Sequence, residues 1–294
     1  MGHKRKYTIY GYIYILPSFL LLIVFSILPI FMTGYFSFTK YNVIQPPVLV
    51  GLKNYIRMLD DPFISAAIKN TLIYTAIVVP AQTILSMVIA SIIAAKFRNI
   101  VGSAFRSILF IPVIASMILC GTVWTFLLAP DETGVVNAVI GLFGVSAVNW
   151  LGKTSTALFS VCIVSIWKLV GYYLVIYFAG IMDIPRSIYE AAKVDGGSQI
   201  QQFWYITLPS LKPITFLVVT LGTIWSFQVF DLVYTMTSGG PGKSTVTLVL
   251  TIYTTAFREY SMGYASSIAI LLLVIILFIS SIQKFLFSDR QAGK

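Results

Sequence analysis

Apolar positions along this chain gather into six long, charge-poor stretches separated by polar ones. They run from about Tyr10 to Met32, Thr71 to Ala95, Ser107 to Ala129, within Thr154 to Met182, within Pro213 to Met236, and from Tyr264 to Gln283. A helix needs roughly 20 apolar residues to cross about 30 Å of hydrocarbon, so each is long enough for one crossing. Two stretches carry an ionisable residue: Lys168 interrupts the fourth and Asp231 lies near the end of the fifth. The pattern predicts an all-α polytopic membrane protein with six transmembrane helices. The first stretch follows Lys4, Arg5 and Lys6 as a signal peptide would. Its apolar run is too long and no clear small-x-small site follows, which favours a retained anchor.

Composition agrees with the pattern. Hydrophobic residues make up 58% of the 294 positions and charged residues 10%, against about 25% charged in soluble domains. A soluble protein of this composition would not wet its surface. A net charge of +10 is ordinary for such a chain and does not imply nucleic acid. Cys120 and Cys162 lie inside apolar segments, and the single histidine is His3, so no metal-ligand spacing is offered. The GxxxxGK[ST] spacing of a phosphate-binding loop is absent too, since Thr237 stands where Gly242-Lys243-Ser244 would need the first glycine.

Orientation follows from basic residues near the span ends. One side collects 12 of them, including Lys4, Arg5, Lys6, Lys96, Arg98, Arg106, Arg186, Lys193, Lys212, Lys284, Arg290 and Lys294; the other collects 7. The richer side should be cytoplasmic, with both termini on it. The long first loop, about Ser37 to Asn70, has turn signals at Pro46-Pro47, Gly51 and Asp60-Asp61-Pro62, and Leu52 to Leu59 reads as a short surface helix. The chain then divides into residues 1–69 (first helix and extracellular loop), 70–286 (a membrane core with a polar loop at 185–209) and a 287–294 tail.

That polar loop is the chain's anomaly. Pro185 suits a first helical turn. Arg186, Glu190 and Lys193 fall on one helix face, and Ala191 and Ala192 favour helix with little bulk. Gly196-Gly197 breaks the helix. Ser198 with Gln201 forms a capping-box pattern for a second helix, on which Ile200, Phe203 and Trp204 share a face. Pro209 disfavours helical geometry at Leu208 and marks a boundary before the fifth span. The residues alone leave two readings open: an interfacial helix resting on the bilayer, or a docking element for a soluble partner.

Glu190-Ala191-Ala192, Gly196, Ile206 and Leu208-Pro209 reproduce the residues and gaps of the EAA loop, and the segment resembles that of ABC-importer permeases. The resemblance implies coupling helices that sit in a cleft of an ATPase subunit, formed here by Glu190, Ala191, Ala192, Asp195, Gly196, Gly197, Phe203, Ile206, Leu208 and Pro209. The run Phe230-Asp231 through Met236-Thr237-Ser238-Gly239-Gly240-Pro241 is similar to the fifth-helix end of maltose-type and multiple-sugar permeases. Membership would imply a type I importer permease fold in a bacterial inner membrane. It would also imply a second, homologous permease subunit, two ATPase subunits that bind ATP and Mg, and an extracellular solute-binding protein. No cofactor is implied for this chain itself. The competing classes are a stand-alone secondary transporter or channel, which would need no docking loop, and a membrane enzyme, for which no His cluster or intramembrane acidic pair is visible.

Sugar recognition needs aromatic faces for ring faces and polar groups for hydroxyls. On the fourth span Ser165, Lys168 and Tyr172 share one face; on the fifth Trp225, Gln228 and Asp231 are spaced by three, with Ser226 and Phe230 alongside. The resemblance places substrate contacts at Lys168, Leu169, Tyr172, Trp225, Ser226 and Val229. Ser226 and Val229 stand where that family can carry amides, which points away from a maltose-like mode. An ionisable residue at mid-membrane is costly unless it lines water or has a partner. Lys168 and Asp231 differ in depth by only about 6 Å at the helical rise, so both are expected to face the path and to be able to pair, with snorkelling of Lys168 the alternative. The Gly239-Gly240-Pro241 turn reads either as a plain outer loop or as a contact for the solute-binding protein.

Overall fold

The computed structural model describes residues 14–97 and 99–287. His3, the Tyr10 start of the first span, the basic residues Lys4, Arg5, Lys6, Arg98, Arg290 and Lys294, and nearly all of the 287–294 tail lie outside the described residues. The regular elements of the described residues are helices apart from one two-residue strand pair. In order it forms α1 (Tyr14–Ser37), β1 (Thr39–Lys40), β2 (Val48–Leu49), α2 (Lys53–Asp60), α3 (Pro62–Lys96), α4 (Ile100–Ile114), α5 (Met117–Leu127), α6 (Val135–Gly141), α7 (Ala157–Met182) and α8 (Arg186–Val194). There follow α9 (Gln199–Ser210), α10 (Lys212–Phe227), α11 (Asp231–Met236), α12 (Leu248–Tyr253) and α13 (Met262–Phe287).

Four of these are single helices long and apolar enough to span a membrane: α1, α3, α7 and α13. They match the first, second, fourth and sixth expected spans. The third expected span, Ser107 to Ala129, is instead a broken pair. Helices α4 and α5 meet at 97° across Ala115-Ser116, where Ser116 caps α5 by accepting from the Leu119 N–H. The fifth is broken too: α10 stops at Phe227 and α11 restarts at Asp231. Pro209 does not end a helix. Leu208 keeps helical angles (φ −62°, ψ −45°), because a π-helical turn over Phe203–Thr207 absorbs the hydrogen bond that proline cannot make. Helix α9 reaches Ser210 and meets α10 at 67°.

The chain forms two compact units. Residues 14–61 and 251–273 make the first. Its β1–β2 ladder is antiparallel, with Thr39 opposite Leu49. The expected surface helix is α2; Asn54 Nδ2 donates to the Ser37 and Thr39 carbonyls, tying it to the ladder. Arg57 lies 4.0 Å over the Tyr264 ring, whose hydroxyl donates to Asp61 Oδ2 at 2.8 Å. None of the apolar window of α1 is buried, as suits a helix whose solvent is hydrocarbon.

Residues 62–250 and 274–287 make the second unit. Its centre is α3 packed along α7, with α10 and α11 against them. Tyr74, Val78, Val161, Val164 and Val233 form one part of the core; Ala90, Tyr173, Leu174, Tyr177 and Val218 form another. Buried polar groups stitch the two long helices: Gln82 Nε2 donates to Ser165 O at 3.2 Å and Ser86 Oγ to Val170 O at 2.9 Å. At Gly171 helix α4 comes so close that a Cβ would collide with the Leu109 carbonyl oxygen. Glycine there is what lets the two backbones touch.

Candidate functional site

Two arrangements in the second unit gather the chemically interesting residues. The first is the polar loop, which folds as the helix–turn–helix its residues predict. Helix α8 ends in a Schellman motif: Gly196 N–H donates to Lys193 O at 3.0 Å and Gly197 N–H to Ala192 O at 2.7 Å. Gly196 has φ +82°, a left-handed conformation that a side chain rarely adopts. Ser198 then opens α9 with both halves of the capping box formed. Its N–H donates to Gln201 Oε1 at 2.8 Å, and its Oγ accepts from Gln201 N–H at 3.3 Å. Pro185 sits one position before the first helical residue.

Two side-chain bonds fix the pair. The Tyr189 and Thr207 hydroxyls meet at 2.9 Å, joining α8 to α9. The buried Gln202 side chain donates to Gly197 O at 2.9 Å, bracing the turn. Yet α8 has no buried residue at all. Glu190, Ala191, Asp195, Gly196 and Pro209 are exposed, while Ala192, Gly197, Phe203, Ile206 and Leu208 are half-buried. Apolar side chains stand beside them in the open, among them Ile188, Val194, Ile200, Trp204 and Tyr205. A helix pair joined by a capped turn, with an uncovered apolar and charged face, is what a docking surface requires. Between the pair and the end of α3 lies a cavity of about 630 Å³. Arg186, Glu190 and Lys193 all line it, as do Ile200, Phe203 and Trp204, so both expected helix faces exist. Tyr189, Gln202 and Thr207 were missed from the sequence; their bonds join residues on different helices or across the turn, which no single periodicity reveals.

The second arrangement is a cavity of about 220 Å³ inside the membrane core. Leu169, Trp225, Ser226, Gln228, Val229 and Asp231 all line it. The break between α10 and α11 is what turns them inward. Gln228 closes α10 through its N–H to Ile224 O at 3.2 Å, and Thr247 Oγ1 holds Val229 O at 3.1 Å. Asp231 then opens α11 with its side chain exposed. Trp225 is 38% exposed and is flanked by the rings of Tyr172 at 5.2 Å and Tyr173 at 6.1 Å.

Two residues expected on the pathway do not line this cavity. Tyr172 backs Trp225 from outside the cavity wall, and its neighbour Tyr173 lines the cavity instead. Lys168 is only 2% exposed and does not line the cavity. Its ammonium donates to the carbonyls of Pro112 at 2.8 Å, Val113 at 3.2 Å and Ala115 at 2.7 Å. These are the oxygens that α4 leaves unpaired where it stops, and a lysine has three donors for them. The expected pairing with Asp231 is thereby replaced: Lys168 serves the α4–α5 bend. Ser165 and Phe230, both named from the sequence, line it as well, and Tyr74, Gln82, Met117, Gly222 and Leu232, which were not singled out from the sequence, complete the lining. The amide of Gln82 inside an apolar span was the one signal that marked any of them.

The Gly239-Gly240-Pro241 turn is tightly tied. Ser238 and Gly239 have φ +49° and +92°, Thr245 Oγ1 donates to Gly240 O at 2.8 Å, and Asn70 Nδ2 holds the Lys243 and Val246 carbonyls at 2.8 and 3.0 Å.

The chain is similar to known membrane proteins. Residues 82–290 match the family model described as binding-protein-dependent transport system inner membrane component. The chain is 35% identical over 275 residues to the probable ABC transporter permease protein YurN of Bacillus subtilis, covering 92% of this chain and 94% of that one. It is 33% identical, over 99% of each chain, to the probable starch degradation products transport system permease protein AmyD of Thermoanaerobacterium thermosulfurigenes. Its fold matches a chain in the crystal structure of a bacterial ABC transporter involved in the import of the acidic polysaccharide alginate, with a TM-score of 0.84 at 23% identity, covering 99% of this chain and 98% of that chain. With several apolar spans, a matching fold and relatives of this kind, the chain belongs to the family of binding-protein-dependent transport system inner membrane components and is a multi-pass ABC-transporter permease.

Proposed function

We propose that this chain is one of two homologous permease subunits of an ATP-driven importer of sugars or oligosaccharides, driven through the Arg186–Ser210 helix pair. The observation that carries the reading is α8: nine residues, closed at the C-terminal end by the Gly196 turn and tied to α9 through Tyr189, with none buried. In this reading the pair faces the cytoplasm with both chain termini and docks on a partner ATPase. Two such ATPase subunits bind ATP and Mg, and this chain supplies no cofactor and hydrolyses nothing itself. The name of the relative AmyD, a permease for starch degradation products, supports a glycan cargo, as does a membrane cavity that combines the Trp225 face with Gln228 and Asp231. The Gly239-Gly240-Pro241 turn would meet an extracellular solute-binding protein.

The connectivity suggests how drive reaches cargo by alternating access. Helix α9 runs into α10 with one residue between them, and the last turn of α10 puts Trp225 and Ser226 in the cavity wall. Tyr189–Thr207 locks α8 to α9, so a push on α8 moves the root of α10. Closure of the ATPase dimer on ATP would open the path outward, and hydrolysis would reset it.

Glu190→Lys tests the reading. Reversing a charge at a docked interface typically costs several kcal/mol, so ATP-driven uptake in proteoliposomes is expected to fall roughly 30-fold or more. The ATPase should also fail to co-purify. Uptake and co-purification equal to wild type would sink the proposal.

A further inference from the structure

The membrane cavity has a charge character that neither the family nor the relatives' names assign. Among the described residues that line it, Asp231 is the one acidic or basic side chain. It is exposed there, at the first residue of α11. The cation that the sequence offered at similar depth, Lys168, is withdrawn. All three of its donors are used by the Pro112, Val113 and Ala115 carbonyls, and its side chain is buried. Nothing remains on it with which to greet an anion.

A carboxylate only accepts hydrogen bonds. It suits a ligand rich in hydroxyl donors and opposes one that brings its own carboxylate. The Gln228 amide gives a second, neutral partner, and Trp225, held between Tyr172 and Tyr173, presents a ring-sized apolar face. Beside low-dielectric walls such as Leu169, Val229 and Leu232 two like charges repel more than in bulk water, and such repulsion is a common source of specificity. We infer that this chain's face of the path admits uncharged glycans and rejects hexuronates, with Asp231 as the residue that discriminates. The inference rests on the glycan-import reading above.

The test is equilibrium dialysis of labelled maltotriose and labelled trigalacturonate against the detergent-solubilised full complex, without its solute-binding protein. The wild type is expected to bind maltotriose at least about tenfold more tightly. Asp231→Asn should narrow the gap to about twofold, chiefly by tightening trigalacturonate, whereas Asp231→Glu should keep it. Equal or tighter binding of trigalacturonate by the wild type overturns the inference. So does an unchanged gap in Asp231→Asn complex that elutes as assembled; if that variant does not assemble, the wild-type ratio and Asp231→Glu decide. Maltotriose binding without discrimination sinks only this inference. Absence of binding by either glycan sinks it and counts against glycan import as well, while the Glu190→Lys result stands apart as the test of ATPase docking.

Discussion

Methionine at position 168 is expected to destabilise the solubilised complex by about 3 kcal/mol, and arginine by less. The magnitude follows from three carbonyls losing their only cation. A hydrogen bond to a charged group contributes about 1.5–3 kcal/mol, and removing the ammonium leaves three part-buried carbonyls without it. Methionine avoids the desolvation cost of an ammonium, which offsets part of the loss. Arginine keeps the charge, but its rigid fork does not converge on three oxygens as a lysine does. The carbonyls of Pro112, Val113 and Ala115 are where α4 turns through 97° into α5, and α5 brings Met117 to the cavity. Lys168→Met should therefore lower the maximal uptake rate and the melting temperature together. A residue contacting cargo would instead raise KM with the melting temperature unchanged. Thermal unfolding followed alongside uptake kinetics separates the two.

Valine at position 196 is expected to abolish coupling while leaving the membrane core folded. Gly196 has φ +82°, where a Cβ costs about 1–2 kcal/mol and a β-branched residue more. The strain falls on the two bonds that end α8, Gly196 N–H to Lys193 O and Gly197 N–H to Ala192 O. Relieving it turns α8 relative to α9 and disrupts the docking face. Asparagine tolerates the left-handed region better than alanine, and alanine better than valine. Uptake should fall in the order Gly, Asn, Ala, Val, whereas thermal stability, set by α3 and α7 far along the chain, should change little. Uptake indifferent to the residue at 196 would show that the Schellman turn does not position the coupling surface.

The parts of this molecule that follow from local chemistry were legible in its sequence. Apolar run length placed α1, α3, α7 and α13. Glycine and capping patterns placed the Gly196 turn and the Ser198–Gln201 box, since both involve residues within a few positions of each other. What escaped depends on contacts far apart along the chain. The Ala115-Ser116 bend leaves apolarity unbroken, so a hydropathy window runs straight across it; only a Ser cap and Lys168, more than 50 residues away, betray it. The Gln228–Phe230 break likewise sits in a run that reads as one span. Tyr172 and Tyr173 are adjacent, and which ring reaches the cavity depends on a rotation of α7 that its neighbours α3 and α4 impose. Pro209 misled because a π-helical turn upstream accommodates it.

The central claim is that the Arg186–Ser210 helix pair is the surface on which the ATPase docks. Amide hydrogen exchange over that segment, measured on the permease pair with and without the partner ATPase, tests it most directly. The exposed amides of α8 and of the Gly196–Ser198 turn should slow by at least about tenfold when the ATPase is present, with α3 and α7 unaffected. Exchange over Arg186–Ser210 that is the same in both samples would contradict the docking role.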